Sequence, residues 1–177
     1  MSWAIWITGL PGSGKTALAQ GVAAALHKRG IPVKVLELDA IRKVVTPEPT
    51  YTDAERETVY RALATMAKLL TEAGVPVLID ATAPRRGWRD LARRLIPAFA
   101  EVQLLCPIEV CREREQHRQA GYAPPAIYAR AGQPGATVPG VDIPYEVALN
   151  PELTLHTDAC DLPTAVREVV ALAGRLA

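Results

Sequence analysis

Short apolar runs and amphipathic segments alternate along this chain, which predicts strands and helices in turn. The apolar runs have the length and composition of buried strands and lie at 3–8, 32–38, 75–79, 99–105 and 153–156. Segments with apolar residues three and four positions apart predict helices at 17–29, 52–73, 84–95, 108–117 and 163–176. This alternation predicts an α/β fold, with a doubly wound parallel sheet flanked by helices.

The segment 119–151 interrupts this alternation, because it is rich in glycine and proline and shows no regular periodicity. A loop of this length in a compact domain commonly covers a binding site. We therefore expect a lid, or an acceptor-binding segment, at 119–151. The whole chain, 1–177, is 49% hydrophobic and is predicted to be a single domain.

A glycine-rich stretch follows the first predicted strand and opens the first predicted helix. The pattern GxxxxGK[ST] in this context is typical of a P-loop of the P-loop NTPase type. Its backbone N–H groups and the positive end of the helix dipole would bind the phosphates of ATP. Lys15 is expected to act catalytically on the β- and γ-phosphates, and the Thr16 hydroxyl to bind Mg²⁺. The predicted ATP-binding residues are Gly9, Leu10, Pro11, Gly12, Ser13, Gly14, Lys15 and Thr16.

Carboxylates follow the second and third predicted strands, at the sheet edge where the P-loop lies. Asp39 is expected to accept a proton from an acceptor hydroxyl or to order Mg²⁺, and Arg42 to hold an anionic group of the acceptor. Asp80 has the placement of a Walker-B-type carboxylate that orders Mg²⁺. Capping of a helix or turn is the alternative for both aspartates. Thr8 is expected to lie at the same edge.

Arginines in two other helices are candidates for binding the acceptor. Arg56 shares a helix face with Val59 and Leu63, which predicts a buried guanidinium that requires an anionic or polar partner. Arg86 belongs to a cluster with Arg85 and Arg89, for which an anion contact and a solvated face both remain open.

Two further arginines lead into the predicted lid. Arg114 and Arg118 are four residues apart on one helix face. Arg114 is expected to contact the phosphoryl group during transfer, as a catalytic residue. Ion pairs with Glu113 and Glu115 are the alternative.

Composition narrows the class of protein. The net charge of +1 gives no general electrostatic reason to bind nucleic acid or an anionic membrane. The first residues lack a basic region and a cleavage site, so we expect a buried strand there and no signal peptide. No apolar run approaches the ~20 residues of a membrane span. The three cysteines lack metal-ligand spacing, so reduced thiols and a cytoplasmic location are expected.

Taken together, these residues resemble the adenylyl-sulfate kinase (APS kinase) family over nearly the whole chain. The stretches that carry the resemblance are 7–16, 36–42, 107–114, Tyr128 with 131–132, 140–146 and 150–157. The resemblance implies transfer of the γ-phosphate of ATP, with Mg²⁺, to the ribose 3′-hydroxyl of adenosine 5′-phosphosulfate (APS) in sulfate assimilation. It also implies that Arg56 and Arg86 bind this small anionic acceptor. A homodimer is the candidate assembly.

Some positions depart from the family pattern on the acceptor side. Val59 and Val138 replace a polar and an aromatic residue, and Ala83 and Arg85 replace serine and tyrosine. These departures predict that APS is used with a raised KM and that another anionic hydroxyl compound competes with it. Two alternatives remain open: phosphorylation of another hydroxyl (a sugar, an antibiotic or a polynucleotide 5′ end), or a nucleotide-dependent switch without phosphotransfer. The chain has no Asn-Lys-x-Asp motif, which disfavours a GTPase.

Overall fold

Residues 2–118, 121–122 and 124–177 are described by a computed structural model, and five strands among them form one parallel sheet. The strands are β1 (Ala4–Thr8), β2 (Lys34–Glu37), β3 (Val77–Asp80), β4 (Phe99–Leu105) and β5 (Leu153–His156). Their spatial order is β2-β3-β1-β4-β5, and every pairing is parallel. The predicted doubly wound α/β fold is confirmed, with β1 at the centre of the sheet.

Helices cover both faces of this sheet. They are α1 (Lys15–His27), α2 (Leu38–Val45), α3 (Asp53–Glu72), α4 (Arg86–Leu95), α5 (Ile108–His117) and α6 (Leu162–Leu176). Side chains alternate between the faces of a strand, so β1 contributes to two cores. Ile5 and Ile7 pack with α1 and α6 on one face. Ala4 and Trp6 pack with α3 and α4 on the other.

The start of α3 shows how local sequence sets a helix boundary. The Thr52 side chain accepts a hydrogen bond from the backbone N–H of Glu55 (3.3 Å), which is one half of a capping box. The Glu55 carboxylate does not complete the box. Instead it accepts hydrogen bonds from Thr50 and from Arg42. The cap therefore also ties α3 to α2 beside the cavity described below.

The second predicted strand ends earlier than expected. The strand β2 stops at Glu37, which is the N-cap of α2, and Leu38 and Asp39 are already helical. Asp39 is therefore neither a strand residue nor an N-cap. It lies in the first turn of α2, where the positive end of the helix dipole favours a carboxylate.

The predicted lid is largely irregular, as expected. Residues 119, 120 and 123 of the predicted range lie outside the described residues. In the rest of it, the helical element is a single 3₁₀ turn (Ile127–Arg130). Within the described chain, no helix has both the length and the apolarity needed to cross a bilayer.

Candidate active site

A cavity of about 440 Å³ opens at the carboxyl edge of the sheet, between the P-loop, α2, α3, α5 and the lid. Ligands of parallel α/β sheets bind at this edge. The cavity is lined by more cationic than acidic side chains, which suits polyanionic ligands. The charged lining residues are Lys15, Arg42, Arg56, Arg114, Arg118, Arg130, Asp39, Asp80 and Glu115.

Lys15 is held inside the P-loop. It is the first residue of α1 and is only 9% exposed. Its ammonium donates hydrogen bonds to the carbonyl oxygens of Gly9 (3.2 Å) and Leu10 (3.0 Å). Burial lowers the pKa of Lys15, and the nearby carboxylates of Asp80 and Asp39 oppose this effect. These carbonyl oxygens are neutral, so they do not balance the charge of the ammonium. A bound phosphate would provide an anionic partner.

The tight turn of the P-loop requires glycine at position 12. Gly12 has a φ of +80°, in the left-handed region that side chains with a Cβ rarely adopt. A Cβ there would lie 2.4 Å from the carbonyl oxygen of Cys111 in α5. The loop therefore packs directly against α5. The Ser13 hydroxyl beside it is fully buried and has no hydrogen-bond partner among the described residues.

Thr16 and Asp80 form the part of the site that fits a magnesium ion. The Thr16 hydroxyl donates a 2.6 Å hydrogen bond to the Asp80 carboxylate, which is 5% exposed. Burial raises the pKa of Asp80, although Lys15 and the bond from Thr16 oppose this rise. A cation would compensate this buried carboxylate. Because Mg²⁺ typically combines one or two carboxylates with phosphate oxygens, these two residues suit an ion held together with a nucleotide.

Replacing Asp80 with asparagine is expected to weaken the contribution of Mg²⁺ to nucleotide binding by about 10–100-fold. Calorimetric titration of ADP with and without Mg²⁺ measures this contribution in the wild type and in Asp80→Asn. Asp158→Asn, at an exposed position, is the matched control. An unchanged Mg²⁺ contribution in Asp80→Asn would contradict the assignment.

The same variant has a predicted effect on stability. The folded-state pKa of Asp80 lies above 3.8, the usual value of an aspartate. Wild-type stability should therefore fall as pH rises through the interval between 3.8 and the folded pKa. Asp80→Asn should show a smaller fall, measured by thermal unfolding without ligand at a series of pH values.

Asp39 and Arg42 line the cavity from α2. Arg42 is 6% exposed and forms a 2.7 Å ion pair with Glu55. Burial raises the pKa of Glu55, but hydrogen bonds from Thr50 and Arg42 outweigh it and the pKa is lowered. Arg42 is therefore not a solvated surface residue. Its guanidinium reaches the cavity with part of its charge already balanced by Glu55.

Arg56 is buried, as its place on the helix face predicts, at 6% exposure. Its guanidinium donates to the carbonyl of Tyr51 (3.0 Å) and to the carbonyl and hydroxyl of Thr137 (2.9 and 3.0 Å). These partners are neutral, and the described residues place no carboxylate within salt-bridge distance of Arg56. Burial lowers the pKa of Arg56. A cavity-lining guanidinium with neutral partners is well suited to an anionic ligand.

Tyr51 is a cavity residue that sequence reasoning missed. Its ring lies 5.2 Å from the guanidinium carbon of Arg42 and 5.8 Å from that of Arg56. Its φ of +55° turns the chain sharply at this point. Tyr51 lies in the irregular segment 46–52 between α2 and α3, where the sequence shows no periodicity, so the only signal was its place directly before the predicted start of a helix at Thr52. Tyr60, from α3, also lines the cavity, and its hydroxyl accepts a hydrogen bond from the N–H of Ala83 (3.0 Å).

Arg114 lines the cavity near the P-loop. Its guanidinium donates to the carbonyl of Thr157 (2.6 Å), whose hydroxyl donates to the carbonyl of Ser13 (2.9 Å). The ion-pair alternative is found for Arg118, which pairs with Glu115 (2.9 Å). Arg114 therefore lies next to the P-loop and lines the same cavity as Lys15.

Some residues predicted to lie in the site are elsewhere. Arg86 is not among the residues that line the cavity, and its guanidinium donates to the carbonyl of Val147 (3.0 Å). Arg86 therefore lies outside the cavity, and its contact with the acceptor stays a prediction. Thr8 ends β1 at the predicted edge of the sheet, but it is fully buried and does not line the cavity. Val59 packs in the core at 1% exposure, whereas Val138 does line the cavity.

Phosphate-binding loops, lids and cationic cavities occur together at the carboxyl edge of the sheet in P-loop kinases. This chain has the fold and the site of that class of enzyme. The comparisons with known proteins define the class more closely.

The family model described as adenylylsulphate kinase matches residues 1–156. An adenylyl-sulfate kinase of Rippkaea orientalis is 36% identical over 167 residues, which cover 93% of this chain and 87% of that protein. A probable adenylyl-sulfate kinase of Archaeoglobus fulgidus is 35% identical over 164 residues, covering 91% and 99%. The APS kinase CysC of Mycobacterium tuberculosis, in complex with AMPPNP and APS, matches with a TM-score of 0.85 at 31% identity and 98% coverage of each chain. The chain belongs to the adenylylsulphate kinase family.

Proposed function

We propose that this protein transfers the γ-phosphate of ATP to the 3′-hydroxyl of APS. The observation that carries the proposal is that the P-loop lysine and the two buried arginines Arg42 and Arg56 line one cavity. Such a cavity can hold two anionic ligands side by side, as a transfer between a nucleotide and an anionic acceptor requires. Membership of the adenylylsulphate kinase family supports APS as that acceptor.

The nucleotide is held by the P-loop. The backbone N–H groups of 12–16 and the N-terminus of α1 bind the phosphates, and the Lys15 ammonium leaves its carbonyl partners for the β- and γ-phosphates. Thr16 and Asp80 would hold Mg²⁺, which neutralises charge on the phosphates. Arg114 approaches from α5 and stabilises the charge that spreads over the phosphoryl oxygens during transfer.

The acceptor is held on the opposite wall. Arg42 and Arg56 bind its anionic group, and Tyr51 offers an aromatic face between them. The acceptor hydroxyl oxygen forms a bond to the γ-phosphorus while the bond from this phosphorus to the β–γ bridging oxygen breaks, and ADP leaves. Asp39 takes the proton of the attacking hydroxyl. The lid covers the cavity and limits access of water to the γ-phosphate.

Coupled measurement of ADP release tests this function. We expect ADP release to depend on APS, and mass spectrometry to identify one phosphate added at the 3′ position of APS. ADP release that does not depend on an acceptor would instead indicate an ATPase or a switch. Release that depends on a sugar, an antibiotic or a polynucleotide, and not on APS, would establish one of the other acceptors.

A quantitative prediction concerns how well APS is used. Val138 contributes an aliphatic side chain to the cavity wall, and it cannot stack on a base as an aromatic ring does. We expect a raised KM for APS, with kcat/KM at least tenfold below the diffusional ceiling of about 10⁸ M⁻¹s⁻¹. Anionic alcohols added to the coupled assay should compete measurably. A value for APS near the ceiling would show that Tyr51 and the two arginines suffice for recognition.

A further inference from the structure

The end of the lid is anchored to the sheet by buried polar side chains. We call residues 145–148 the lid arm. The Tyr145 hydroxyl lies 2.9 Å from the Thr8 hydroxyl and 2.9 Å from the side-chain nitrogen of Gln103. Thr8 donates its own proton to the carbonyl of Thr82 (2.6 Å), so the acceptors within reach of the Tyr145 hydroxyl proton are the Thr8 oxygen and the side-chain oxygen of Gln103 (3.1 Å). The backbone N–H of Ala148 donates to the side-chain oxygen of Gln103 (3.0 Å).

Arg89 holds the same arm from α4. This side chain is completely buried and forms a 2.6 Å ion pair with Glu101 of β4. Its guanidinium also donates to the carbonyls of Ala83 (2.6 Å) and Glu146. The guanidinium carbon lies 5.5 Å from the centre of the Tyr145 ring. The solvated arginine face that remained open for this cluster is therefore wrong at Arg89.

Burying these polar groups is costly unless each of them has partners. Thr8 and Arg89 are fully buried and Gln103 is 2% exposed. Apolar side chains would fill the same space without desolvation of polar groups, whereas a satisfied polar network selects one geometry. None of these three residues lines the cavity. Their common partner is the lid arm, so their joint effect is to fix its position.

A hydrogen-bonded segment connects the lid arm to the acceptor wall of the cavity. The Asp142 carboxylate accepts hydrogen bonds from the N–H groups of Gly132 and Val138, both at 2.8 Å. The N–H of Gly140 donates to the carbonyl of Ile143 (2.8 Å). These bonds make 132–143 a compact unit, which only Pro144 separates from the arm. This unit carries Thr137, the partner of Arg56, and Val138 of the cavity wall.

We propose that Tyr145 is a positioning residue for the acceptor: its hydroxyl locks the lid arm to Thr8 and Gln103 and thereby places Thr137 against Arg56 and Val138 in the cavity wall. This inference rests on the proposed function, because it names the determinant of acceptor binding at the same site. It assigns Tyr145 no contact with either substrate. We therefore expect loss of this anchor to weaken binding of the acceptor and to leave binding of the nucleotide unchanged.

Tyr145→Phe removes the hydroxyl and keeps the ring that packs on Arg89. We expect the KM for APS to rise about tenfold, the scale of one buried hydrogen bond expressed as an equilibrium constant. The KM for ATP should change less than twofold, because the Tyr145 hydroxyl contacts Thr8 and Gln103 and no residue of the P-loop 9–16. Tyr122→Phe is the matched control, since it removes a hydroxyl from a lid tyrosine that is 54% exposed. Equal rises in both KM values, or an unchanged KM for APS, would overturn the proposal.

A double-mutant cycle tests whether Tyr145 acts through Gln103. Gln103→Leu should raise the KM for APS as well, and the two substitutions together should cost much less than the product of the single effects. Independent effects of the two substitutions would contradict a shared anchor.

Hydrogen exchange gives a readout that does not need activity. In Tyr145→Phe, exchange at the N–H groups of Val138 and Ala148 should accelerate about tenfold, while exchange in α1 stays unchanged. Wild-type protein that transfers no phosphate to APS would refute the proposed function. Hydrogen exchange would still test the anchoring role of Tyr145 in that case. Unchanged protection at the N–H of Val138 in Tyr145→Phe would overturn that role.

Discussion

Lys15→Ala is expected to lower kcat for phosphotransfer by at least about 10²–10³-fold, the loss typical of removing one electrostatic contact to the transition state. The reason is that Lys15 is the P-loop side chain placed to follow the negative charge of the β- and γ-phosphates. The variant should remain folded. Removal of a buried ammonium whose pKa is lowered by burial also removes a desolvation cost, so the melting temperature should not fall at neutral pH.

The measurement is single-turnover phosphotransfer, together with circular dichroism to verify the fold. Lys28→Ala is the matched control, because Lys28 follows the other end of the same helix and is exposed. A folded Lys15→Ala variant with the wild-type rate would show that the P-loop lysine is not used. An unfolded variant would instead show that Lys15 is needed for the structure of the loop.

Asp39→Asn is expected to lower kcat by about 10²–10⁴-fold, the range of general-base losses. Asparagine has nearly the same shape as aspartate but cannot accept the proton of the acceptor hydroxyl. The affinity for ATP should stay within about twofold, since Asp39 comes from α2 and not from the P-loop. Rapid-quench kinetics with saturating ATP and calorimetric binding of ADP separate the two effects.

The exposed control for this substitution is Asp158→Asn. Should kcat stay near the wild-type value while nucleotide binding is lost, Asp39 would belong to the nucleotide site. A joint loss of kcat and of Mg²⁺ dependence would place Asp39 beside Asp80 in ordering the metal.

Local signals in the sequence were sufficient for much of the fold. The strand Phe99–Leu105, the helix Ile108–His117 and the strand Leu153–His156 have the predicted bounds. Each is flanked by a proline or by polar residues that end the apolar pattern, so the boundary is encoded locally. The second strand was different. The apolar run continues to Leu38, and only the tertiary structure shows that the first turn of α2 begins there.

The P-loop was predictable because its chemistry lies within eight consecutive residues. Thr16 and Asp80 followed from it, because the ends of neighbouring parallel strands lie side by side. Tyr51 and Gln103 were not predictable in this way. Tyr51 enters the cavity through an irregular turn with a positive φ, and Gln103 interrupts an apolar strand in order to bind the lid arm, which is 42 residues away in the chain.

Arg86 and Arg89 show the limit of reasoning from a charge cluster. The two residues are three positions apart on α4, yet one is partly exposed and the other is completely buried beside Glu101. The partner that decides between these states comes from β4, and the apolar pattern of that strand gives no reason to expect a buried glutamate.

The two cores on opposite faces of the sheet have a consequence for how the acceptor preference of this enzyme can change. The P-loop helix α1 belongs to the core that it shares with α6, whereas Arg56 and Tyr60 are carried by α3 in the other core. Substitutions in the core between α3 and α4 can therefore move Arg56 and Tyr60. The packing of α1 against α6, which supports the P-loop, stays the same. Because the two cores are separate, the acceptor preference can change by single substitutions during evolution while ATP remains the phosphate donor.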